Sequence, residues 1–401
     1  MLRVRLLGAV LCVVVVFSTV GADSYFFVSN VDAISLEEVE SEIEVSMHRM
    51  HMPSFCAGVI QDGELSWSGF YGSIDRLRGG VAPDEHSVFL AGSVTKSVTA
   101  VALMQLWEQG LFELDDDVNL YLPFSVRNPL FPEVPVTFRM LLSHSSSLAN
   151  DQLSLFLYFS LLNYPLDFLW EFLEPDGILF GENVWYEYAP AQGSYYTSVG
   201  FEILGFLVEI LSGQSYSQYC KENILEPLGM VESGFHLDEI ELSHLVRPYI
   251  YLGIYIPLPV YENHNAASGG LMTTLSDLSQ FLWMHMNGGV VGDVRILEEE
   301  TLEVLHSVQY PDLENPEFPI DPIKYGLGWM VHPESAWDIS FHAEGHSGTV
   351  PGGLTYMFFR NDTGVIFFSN QCFQVGYYGA SQYSYRMQLL EVLLDFGDTI
   401  V

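Results

Sequence analysis

Apolar positions recur with different spacings in different parts of the chain, and the spacing separates its two ends from its middle. Near both ends, apolar residues alternate with polar ones or form short runs, which predicts strands, and each end also contains a stretch with helical spacing. The first helical stretch opens with Ser35 and Glu38, the pattern of a capping box. The elements predicted for the ends are a helix at 35–50, strands at 55–60 and 64–72, strands at 353–359 and 365–370, and a helix at 383–396.

The middle of the chain, from about 96 to 334, is rich in turn residues and in helical spacing. We therefore predict an α+β fold for residues 23–401, in which one antiparallel sheet is built from both chain ends and flanked by helices. The sheet would come from about 53–95 and 335–375, and the middle would form a large, mainly helical insertion.

The first 22 residues predict a signal peptide. Arg3 and Arg5 precede an apolar run from Leu6 to Phe17, and small or modest residues follow before Asp23. An uncleaved anchor is the alternative, but the run is shorter than the roughly 20 residues that a membrane span needs. We expect a secreted or extracytoplasmic protein with no integral membrane segment after signal removal.

Composition narrows the range of partners. The 401 residues are 49% hydrophobic, and 51 acidic against 14 basic side chains give a formal charge of −37. Affinity for nucleic acid or for anionic membranes comes from lysine and arginine clusters, so this charge argues against both partners. Asn361-Asp362-Thr363 is a glycosylation sequon in a predicted hairpin turn, usable only in a host that glycosylates.

The most informative motif is Ser93-Val94-Thr95-Lys96, which contains one of only three lysines in the chain. If a helix begins at Ser93, the Lys96 amine lies on the same face as the Ser93 hydroxyl, and a weak nucleophile gains an adjacent base. The alternative is an ordinary helix start with a solvated lysine. The apolar helical pattern that follows, from Ser97 to Gly110, favours the catalytic interpretation, because burial lowers the pKa of a lysine.

Two later segments offer partners for this pair. Tyr196 precedes a helical run from Phe201 to Leu211, and a phenol near an ammonium can take part in proton transfer, although a packed aromatic is the alternative. Gly345-His346-Ser347-Gly348-Thr349 begins a predicted strand whose backbone could donate an N–H to an oxyanion. For His346 a structural histidine is the alternative. Gly345 and the strand context argue against a metal site at 342–346. Acyl transfer by a serine and a lysine needs no metal or organic cofactor, and we expect neither.

These motifs, in this order, resemble those of the serine β-lactamase and penicillin-binding-protein superfamily, and more narrowly the branch of class C β-lactamases, DD-peptidases and esterases. The likeness covers nearly the whole mature chain. Further segments that resemble family signatures are 141–148 (LLSHSSSL), 224–230 (ILEPLGM), 268–271 (SGGL) and 325–329 (YGLGW). The resemblance implies a β-lactamase/transpeptidase-like fold and a site in which Ser93, Lys96, Tyr196 and His346 are catalytic, while Ser198, Gly348 and Thr349 bind substrate.

Two departures from the family pattern bear on the substrate. Tyr196-Thr197-Ser198 replaces the family's Tyr-x-Asn, so a hydroxyl stands where an amide is usual, and His346 replaces the lysine typical of class C β-lactamases. We therefore expect a small-molecule or peptide substrate with an ester or amide bond, as for an esterase or a D-amino-acid peptidase or carboxypeptidase, and less a true β-lactamase. A catalytically silent module that binds a peptide or glycan is a further alternative. A lipid-active hydrolase is another, prompted by the apolar segment 153–173.

The resemblance also bears on the cysteines that remain after signal removal, Cys56, Cys220 and Cys372. In the family fold the first strand lies antiparallel beside the last, which brings Cys56 near Cys372. A secretory address makes a disulfide between them chemically possible. The alternative is that both are small buried hydrophobic residues. Cys220 is expected to stay reduced.

Overall fold

The structure is a computed structural model that describes residues 34–77, 79–149, 169–173, 184–314, 323–332, 342–374 and 380–400. The predicted signal peptide at 1–22 lies outside these ranges, as does most of the apolar segment 153–173. Of that segment, residues 169–173 are described, and Phe172 and Leu173 are buried.

Helices and strands are numbered separately in chain order. The helices are α1 (Leu36–Arg49), α2 (Thr95–Glu108), α3 (Phe138–Leu142), α4 (Trp170–Leu173), α5 (Val199–Ser212), α6 (Tyr216–Cys220), α7 (Ala266–Gly269), α8 (Leu275–Met286), α9 (Glu299–His306) and α10 (Ala380–Gly397). The strands are β1 (Ser54–Gln61), β2 (Glu64–Gly72), β3 (Phe89–Leu90), β4 (Tyr249–Tyr251), β5 (Tyr255–Pro257), β6 (Met272–Thr273), β7 (Val290–Val291), β8 (Val294–Arg295), β9 (Lys324–Tyr325), β10 (Met330–His332), β11 (Ala343–Val350), β12 (Gly353–Arg360), β13 (Thr363–Ser369) and β14 (Gln371–Gln374).

One seven-stranded sheet, in the order β2-β1-β13-β12-β11-β10-β9, organises the fold. The first strands of the chain pair antiparallel with the last strands of this sheet, with Phe55 opposite Ser369. The predicted α+β fold, with an antiparallel sheet built from both chain ends, is therefore confirmed. The sheet also contains β9 and β10, which lie within the range predicted for the helical insertion. β10 pairs with β11 and β9 pairs with β10, so the two strands extend the sheet beyond β11.

The two faces of the sheet bury different partners. On one face, α1 and α10 cover an apolar layer that includes Val39, Phe55 and Leu394. Side chains on the other face belong to the larger core, which also includes residues of α2, α5 and α8. Because both faces are covered, β1 is buried along almost its whole length, which explains its nearly continuous apolar sequence. Complete burial of one such side chain contributes about 1.5–3 kcal/mol.

The direction in which each cysteine side chain points determines whether Cys56 and Cys372 can form a disulfide. Cys56 points into the core that contains α2, whereas Cys372, in β14, lies in the core under α1 and α10. The two side chains are therefore on opposite sides of the sheet, although their strand ends are close as expected. Both are free and buried, so the disulfide expectation was wrong and its alternative holds. Cys220, at the end of α6, is free as predicted.

The middle of the chain is helical but also contains short strands. Beside α2 to α9 it contributes β4 and β5, which form a small sheet with β14, and β6, which pairs with β3 from the earlier part of the chain. It also contributes the pair β7–β8. Asn361 lies in the turn between β12 and β13 with φ 53°, at the predicted hairpin, while its glycosylation stays a prediction. Among the described helices, none is both long and apolar enough to cross a bilayer.

Candidate active site

Ser93 lies in a short 3₁₀ turn, Gly92–Val94, which continues directly into α2. Gly92 has a left-handed conformation (φ 54°), and a Cβ at this position would lie 2.9 Å from the nitrogen of Thr349, so the turn requires glycine. Lys96 follows Ser93 by three positions, and the two side chains share one face, with Lys96 Nζ 3.1 Å from Ser93 Oγ. The structure therefore brings the predicted pair together.

Lys96 is completely buried, and its amine has three hydrogen-bond partners. Besides Ser93, the Nζ atom donates to Ser198 Oγ at 3.2 Å and to the Ser268 carbonyl at 2.8 Å. Three acceptors match the three donors of an ammonium group, so the side chain is held in one position. The Nζ atom also lies 4.9 Å from the centre of the Tyr196 ring.

The surroundings of Lys96 set its protonation. Burial lowers the pKa of the Lys96 amine to about 7, and the Glu202 carboxylate opposes this shift. A substantial fraction of the amine is then neutral near pH 7, whereas an exposed lysine would be almost entirely protonated. A neutral amine beside a serine hydroxyl can accept its proton, which is what nucleophilic catalysis requires.

The two adjacent tyrosines have different environments. Tyr195 is buried in a stack with Tyr186 and Tyr188, with ring centres 3.9 and 5.0 Å away. Tyr196 instead lies over the Lys96 amine, and its ring is 6.1 Å from that of His346. The residue two positions later, Ser198, is the N-cap of α5 and binds the same amine. The geometry therefore places Tyr196, and not Tyr195, among the candidate catalytic groups.

Strand β11 forms the opposite wall of the site. Its backbone lies against the turn that contains Ser93, since a Cβ on Gly348 would lie 1.9 Å from the Ala91 carbonyl and 3.0 Å from the Ser93 nitrogen. Only glycine permits this approach. The contact brings the backbone of Thr349 beside that of Ser93, with the Thr349 side chain exposed. Two neighbouring N–H groups in such an arrangement can stabilise an oxyanion.

His346 is completely buried in β11. Its Nδ1 atom lies 2.7 Å from the Ser347 carbonyl, so Nδ1 carries the proton and donates it. Burial, together with the charge of Lys96, lowers the pKa of the imidazole to about 3. His346 is therefore a neutral group at physiological pH, which differs from the lysine expected at this position in class C β-lactamases. The structure places it near Tyr196 without a positive charge, and its predicted catalytic role stays a prediction.

Three residues near Lys96 had no role in the sequence prediction. His144 Nδ1 accepts a hydrogen bond from the Thr197 N–H at 3.1 Å, and its ring packs 4.4 Å from that of Tyr196. Burial lowers the pKa of His144 well below its usual value. Ser268 provides the carbonyl that binds Lys96, and Glu202 is a buried carboxyl in α5. His144 and Ser268 lie in segments that resemble family signatures, whereas Glu202 is marked only by being an acid within an apolar helix.

No group of three or more metal-ligating side chains with suitable geometry occurs among the described residues. Within the segment 342–346, Glu344 and His346 make different contacts. Glu344 accepts a hydrogen bond from the Trp329 indole at 3.1 Å, while His346 belongs to the site wall.

The site combines a serine paired with a buried lysine at a helix start, a tyrosine just before the next long helix, and the glycine-containing strand β11 within the sheet. These are the groups that nucleophilic acyl transfer requires. Comparison with known proteins gives the family. The family model described as Beta-lactamase matches residues 39–371, so the chain belongs to the beta-lactamase family. The resemblance to the serine β-lactamase and penicillin-binding-protein superfamily is thereby confirmed.

Individual relatives are distant. Penicillin-binding protein 4 of Amycolatopsis lactamdurans is 29% identical over 79% of this chain and 80% of its own length. Beta-lactamase-like protein 2 of Dictyostelium discoideum is 28% identical over 65% of this chain, which spans about half (48%) of that relative. The penicillin-binding protein homologue of Pyrococcus abyssi, described as octameric, superposes with a TM-score of 0.75 at 26% identity over 90% of this chain and 78% of its own.

Two further solved structures share the fold at lower identity. D-amino acid amidase from Ochrobactrum anthropi has a TM-score of 0.69 at 20% identity, over 88% of this chain and 98% of its own. A class C beta-lactamase has a TM-score of 0.66 at 18% identity, over 88% of this chain and 94% of its own. At these identities the likeness shows the fold alone.

Proposed function

We propose that the protein is a secreted serine hydrolase that cleaves an ester or amide bond through an acyl-enzyme on Ser93. Membership of the beta-lactamase family and the likeness to a penicillin-binding protein support a hydrolase of this general type. The observation that carries the proposal is the buried Lys96 amine, 3.1 Å from Ser93 Oγ, with a pKa of about 7.

In the first step, the neutral Lys96 amine takes the proton of the Ser93 hydroxyl while Oγ forms a bond to the carbonyl carbon of the substrate. The carbonyl oxygen gains the electron pair of the broken π bond, and the N–H groups of Ser93 and Thr349 stabilise the resulting oxyanion. When this intermediate collapses, the bond to the leaving group breaks and the leaving group takes up a proton. Tyr196, beside the Lys96 amine, is placed to pass that proton on.

In the second step, water attacks the acyl group on Ser93. The same groups accept a proton from the water as its oxygen bonds to the acyl carbon. The bond between that carbon and Ser93 Oγ then breaks, Oγ takes back a proton, and the carboxylic acid leaves, which restores the free enzyme. Every group named in this cycle belongs to the protein, so the cycle is complete without an added cofactor.

The site differs from that expected of a class C β-lactamase in the charge that it offers to a substrate. His346 is neutral, so it offers no cation to a substrate carboxylate at the position where class C β-lactamases are expected to have a lysine. Ser198 retains the contact with Lys96 but has no amide to bind an acylamido group. A neutral ester or amide therefore fits the site better than a β-lactam, which carries a carboxylate.

The silent binding module was suggested by Ser198. In the structure the Ser198 hydroxyl accepts a hydrogen bond from Lys96 at 3.2 Å, so the replacement preserves the ring of three acceptors around the amine. The serine at position 198 is therefore compatible with catalysis. The silent binding module is kept only as one possible outcome of the test below.

The test is an assay of the purified mature chain on p-nitrophenyl esters, D-amino-acid amides, D-Ala-D-Ala peptides and nitrocefin. We expect turnover of an ester or amide, less turnover of nitrocefin, and loss of both in Ser93→Ala. The matched control is Ser97→Ala, since the Ser97 hydroxyl lies one turn away and donates to the Gly328 carbonyl at 3.1 Å. Undiminished turnover by Ser93→Ala would contradict the mechanism, and specific binding without turnover of any substrate would favour the silent module.

Export is part of the proposal and has a separate test. The basic and apolar pattern of residues 1–22 supports it. N-terminal sequencing of the mature protein after expression with its own leader should find a start near Asp23. Retention of Met1 in a membrane fraction would indicate an uncleaved anchor.

A further inference from the structure

Glu202 is a buried carboxyl group that the proposed cycle does not use. It lies in the first turn of α5, six residues after Tyr196, and only 2% of its surface is exposed. Acidic side chains are rarely buried without a specific partner, because removal of a carboxylate from water is unfavourable. The contacts of this side chain therefore indicate its role.

The main chain of Ser268 connects Glu202 to Lys96. The N–H of Ser268 donates to Glu202 Oε1 at 2.9 Å, and the carbonyl of the same residue accepts a hydrogen bond from Lys96 Nζ at 2.8 Å. The neighbouring carbonyl, of Ala267, accepts a hydrogen bond from Thr99 Oγ1 of α2 at 2.6 Å. The short helix α7 is thus attached to α2 on one side and to Glu202 on the other, and its position fixes one acceptor of the lysine.

The second carboxyl oxygen, Glu202 Oε2, is buried and has no hydrogen bond of good geometry among the described residues, although the Ser268 hydroxyl and the Ala267 N–H lower the pKa of the carboxyl group by weaker interactions. A permanently ionised carboxylate would be expected to use both oxygens. This arrangement favours a group that is protonated for part of the time. Because charge on Glu202 and charge on Lys96 stabilise each other, the protonation states of the two groups are linked.

We propose that Glu202 is a positioning residue of the acyl-transfer site, which holds Ser268 against the Lys96 amine and, through its own charge, determines the pH at which that amine becomes a base. The proposal deepens the proposed function and depends on it for the role of Lys96. It does not place Glu202 in contact with the substrate.

Burial keeps His144, His346 and Tyr216, three of the ionisable groups around the pair, neutral near pH 7. Facing Lys96 are His144 and His346, whose pKa values burial lowers far enough that both rings are neutral, and the phenol of Tyr196. Facing Glu202 is Tyr216, whose pKa burial raises well above its usual value, so that it too is neutral. Burial raises the pKa of Glu202 to about 7, against the effect of the Lys96 charge. Lys96 and Glu202 therefore change protonation in the same range.

The variant Glu202→Gln separates the two parts of the role. Glutamine keeps an oxygen for the Ser268 N–H but cannot carry a negative charge. Without that charge the ammonium form of Lys96 loses stabilisation, so its pKa should fall further and the neutral amine should be present at lower pH. We expect the acid limb of the kcat/KM profile to move down by about one pH unit. A residue that only supported the fold would change the rate equally at all pH values.

The titration of Lys96 can be measured directly, because the chain contains only three lysines. Protein labelled with ¹³Cε-lysine should give three side-chain signals by NMR, and Lys96→Met identifies the one from the site. In the wild-type protein this signal should titrate near neutral pH, and in Glu202→Gln its midpoint should fall by about one pH unit. Glu209→Gln is the control, since Glu209 lies in the same helix and accepts the Tyr216 N–H at 2.9 Å. Its Lys96 midpoint should not move.

An unchanged Lys96 midpoint in folded Glu202→Gln would overturn the proposal. If Glu202→Gln does not fold, the wild-type titration decides instead: a coupled pair gives a Lys96 signal that shifts in two steps, and a single step would overturn the proposal. This measurement needs no substrate. The NMR result can therefore support coupling between Lys96 and Glu202 even if Ser93→Ala proves active. In that case the proposed function would be wrong, but the coupling of the two groups would still hold.

Discussion

Two clusters of buried ionisable side chains occur among the described residues, and they differ in what surrounds them. The first is the site cluster of Lys96, Glu202, His144 and His346. The second, the histidine cluster, consists of His285 in α8, His306 in α9 and Glu344 in β11, packed on Trp329. Burial lowers the pKa of the histidines in both clusters.

The histidine cluster pairs several of its polar groups with one another in an aromatic stack, while His285 Nε2 is buried without a hydrogen-bond partner among the described residues. His285 Nδ1 lies 3.0 Å from His306 Nε2, both rings stack on Trp329, and the indole donates to Glu344. Its described contacts include no serine nucleophile, whereas Lys96 touches the hydroxyl of Ser93, whose side chain reaches the surface of the site. The shifted pKa values in both clusters are therefore a consequence of burial. A shifted pKa points to a catalytic role only where the group also contacts an atom that can react.

The largest expected effect on the hydrolytic rate comes from substitutions in the site cluster. Ser93→Ala and Lys96→Ala should each reduce the hydrolytic rate by about 10⁴-fold or more, because one supplies the nucleophile and the other its base. The double variant should be little worse than either single one, since the two residues act in one step. Steady-state kinetics of all three variants measures this, and independent losses that multiply would exclude a shared proton transfer.

The next effect distinguishes the two adjacent tyrosines. Tyr196→Phe should reduce kcat by about 10²-fold, the usual scale for loss of a proton-transfer group, because the phenol is removed beside Lys96. Tyr195→Phe should have a much smaller effect, since Tyr195 belongs to the aromatic stack. Measurement of kcat and of the melting temperature for both variants separates catalysis from folding. Equal losses of kcat would mean that the assignment of Tyr196 is wrong.

The histidine cluster should affect stability and leave activity unchanged. His306 has a pKa lowered to about 4 by burial, so between pH 6.5 and 4 the unfolded chain binds a proton that the folded protein does not. The free energy of unfolding should therefore fall as the pH falls through this window, by about 3 kcal/mol from this residue, with no such contribution above it.

His306→Phe removes that dependence while keeping a ring in the stack. Urea unfolding at several pH values should show a flatter profile than the wild-type protein, and kcat at pH 8 should stay within about twofold because no catalytic contact is lost. His48→Phe, at an exposed position of α1, is the control and should keep the wild-type pH profile. A large loss of kcat in His306→Phe would place the histidine cluster in the catalytic machinery.

The smallest effect concerns Ser198. Ser198→Ala removes one of the three acceptors of the Lys96 amine, and a single hydrogen bond of about 1 kcal/mol corresponds to roughly a fivefold loss of kcat/KM. Ser198→Thr keeps the hydroxyl and should restore most of the activity. A kinetic comparison of the two variants tests the contact, and identical values for Ala and Thr would show that the hydroxyl is not used.

The sequence predicted those features that depend on local geometry. Ser93 and Lys96 are three residues apart, so a helical turn is enough to bring them together, and the burial of Lys96 follows from the apolar helix after it. The strand pairing at Phe55 and Ser369 followed from the two ends of the chain having matching strand patterns and from the family resemblance. The choice of Tyr196 over Tyr195 as the catalytic tyrosine depended on alignment with the family motif alone, because no local pattern distinguishes the two residues.

Features that depend on distant contacts were not predicted. Glu202 meets Ser268 66 residues later in the chain, and no local pattern encodes that contact. The side of the sheet to which Cys372 points depends on how β14 leaves the large sheet, so nearness of the strand ends was a poor guide to disulfide formation. The addition of β9 and β10 to the sheet could not be inferred from strands of two and three residues.

The most direct test is to identify the residue that becomes covalently acylated. The purified protein would be treated with a fluorophosphonate probe at pH 8, digested and mapped by mass spectrometry, with Ser93→Ala and Ser97→Ala treated in parallel. We expect one adduct, on Ser93, which is absent in Ser93→Ala and retained in Ser97→Ala. An adduct on another residue, or none on the folded wild-type protein, would contradict an acyl-enzyme at Ser93.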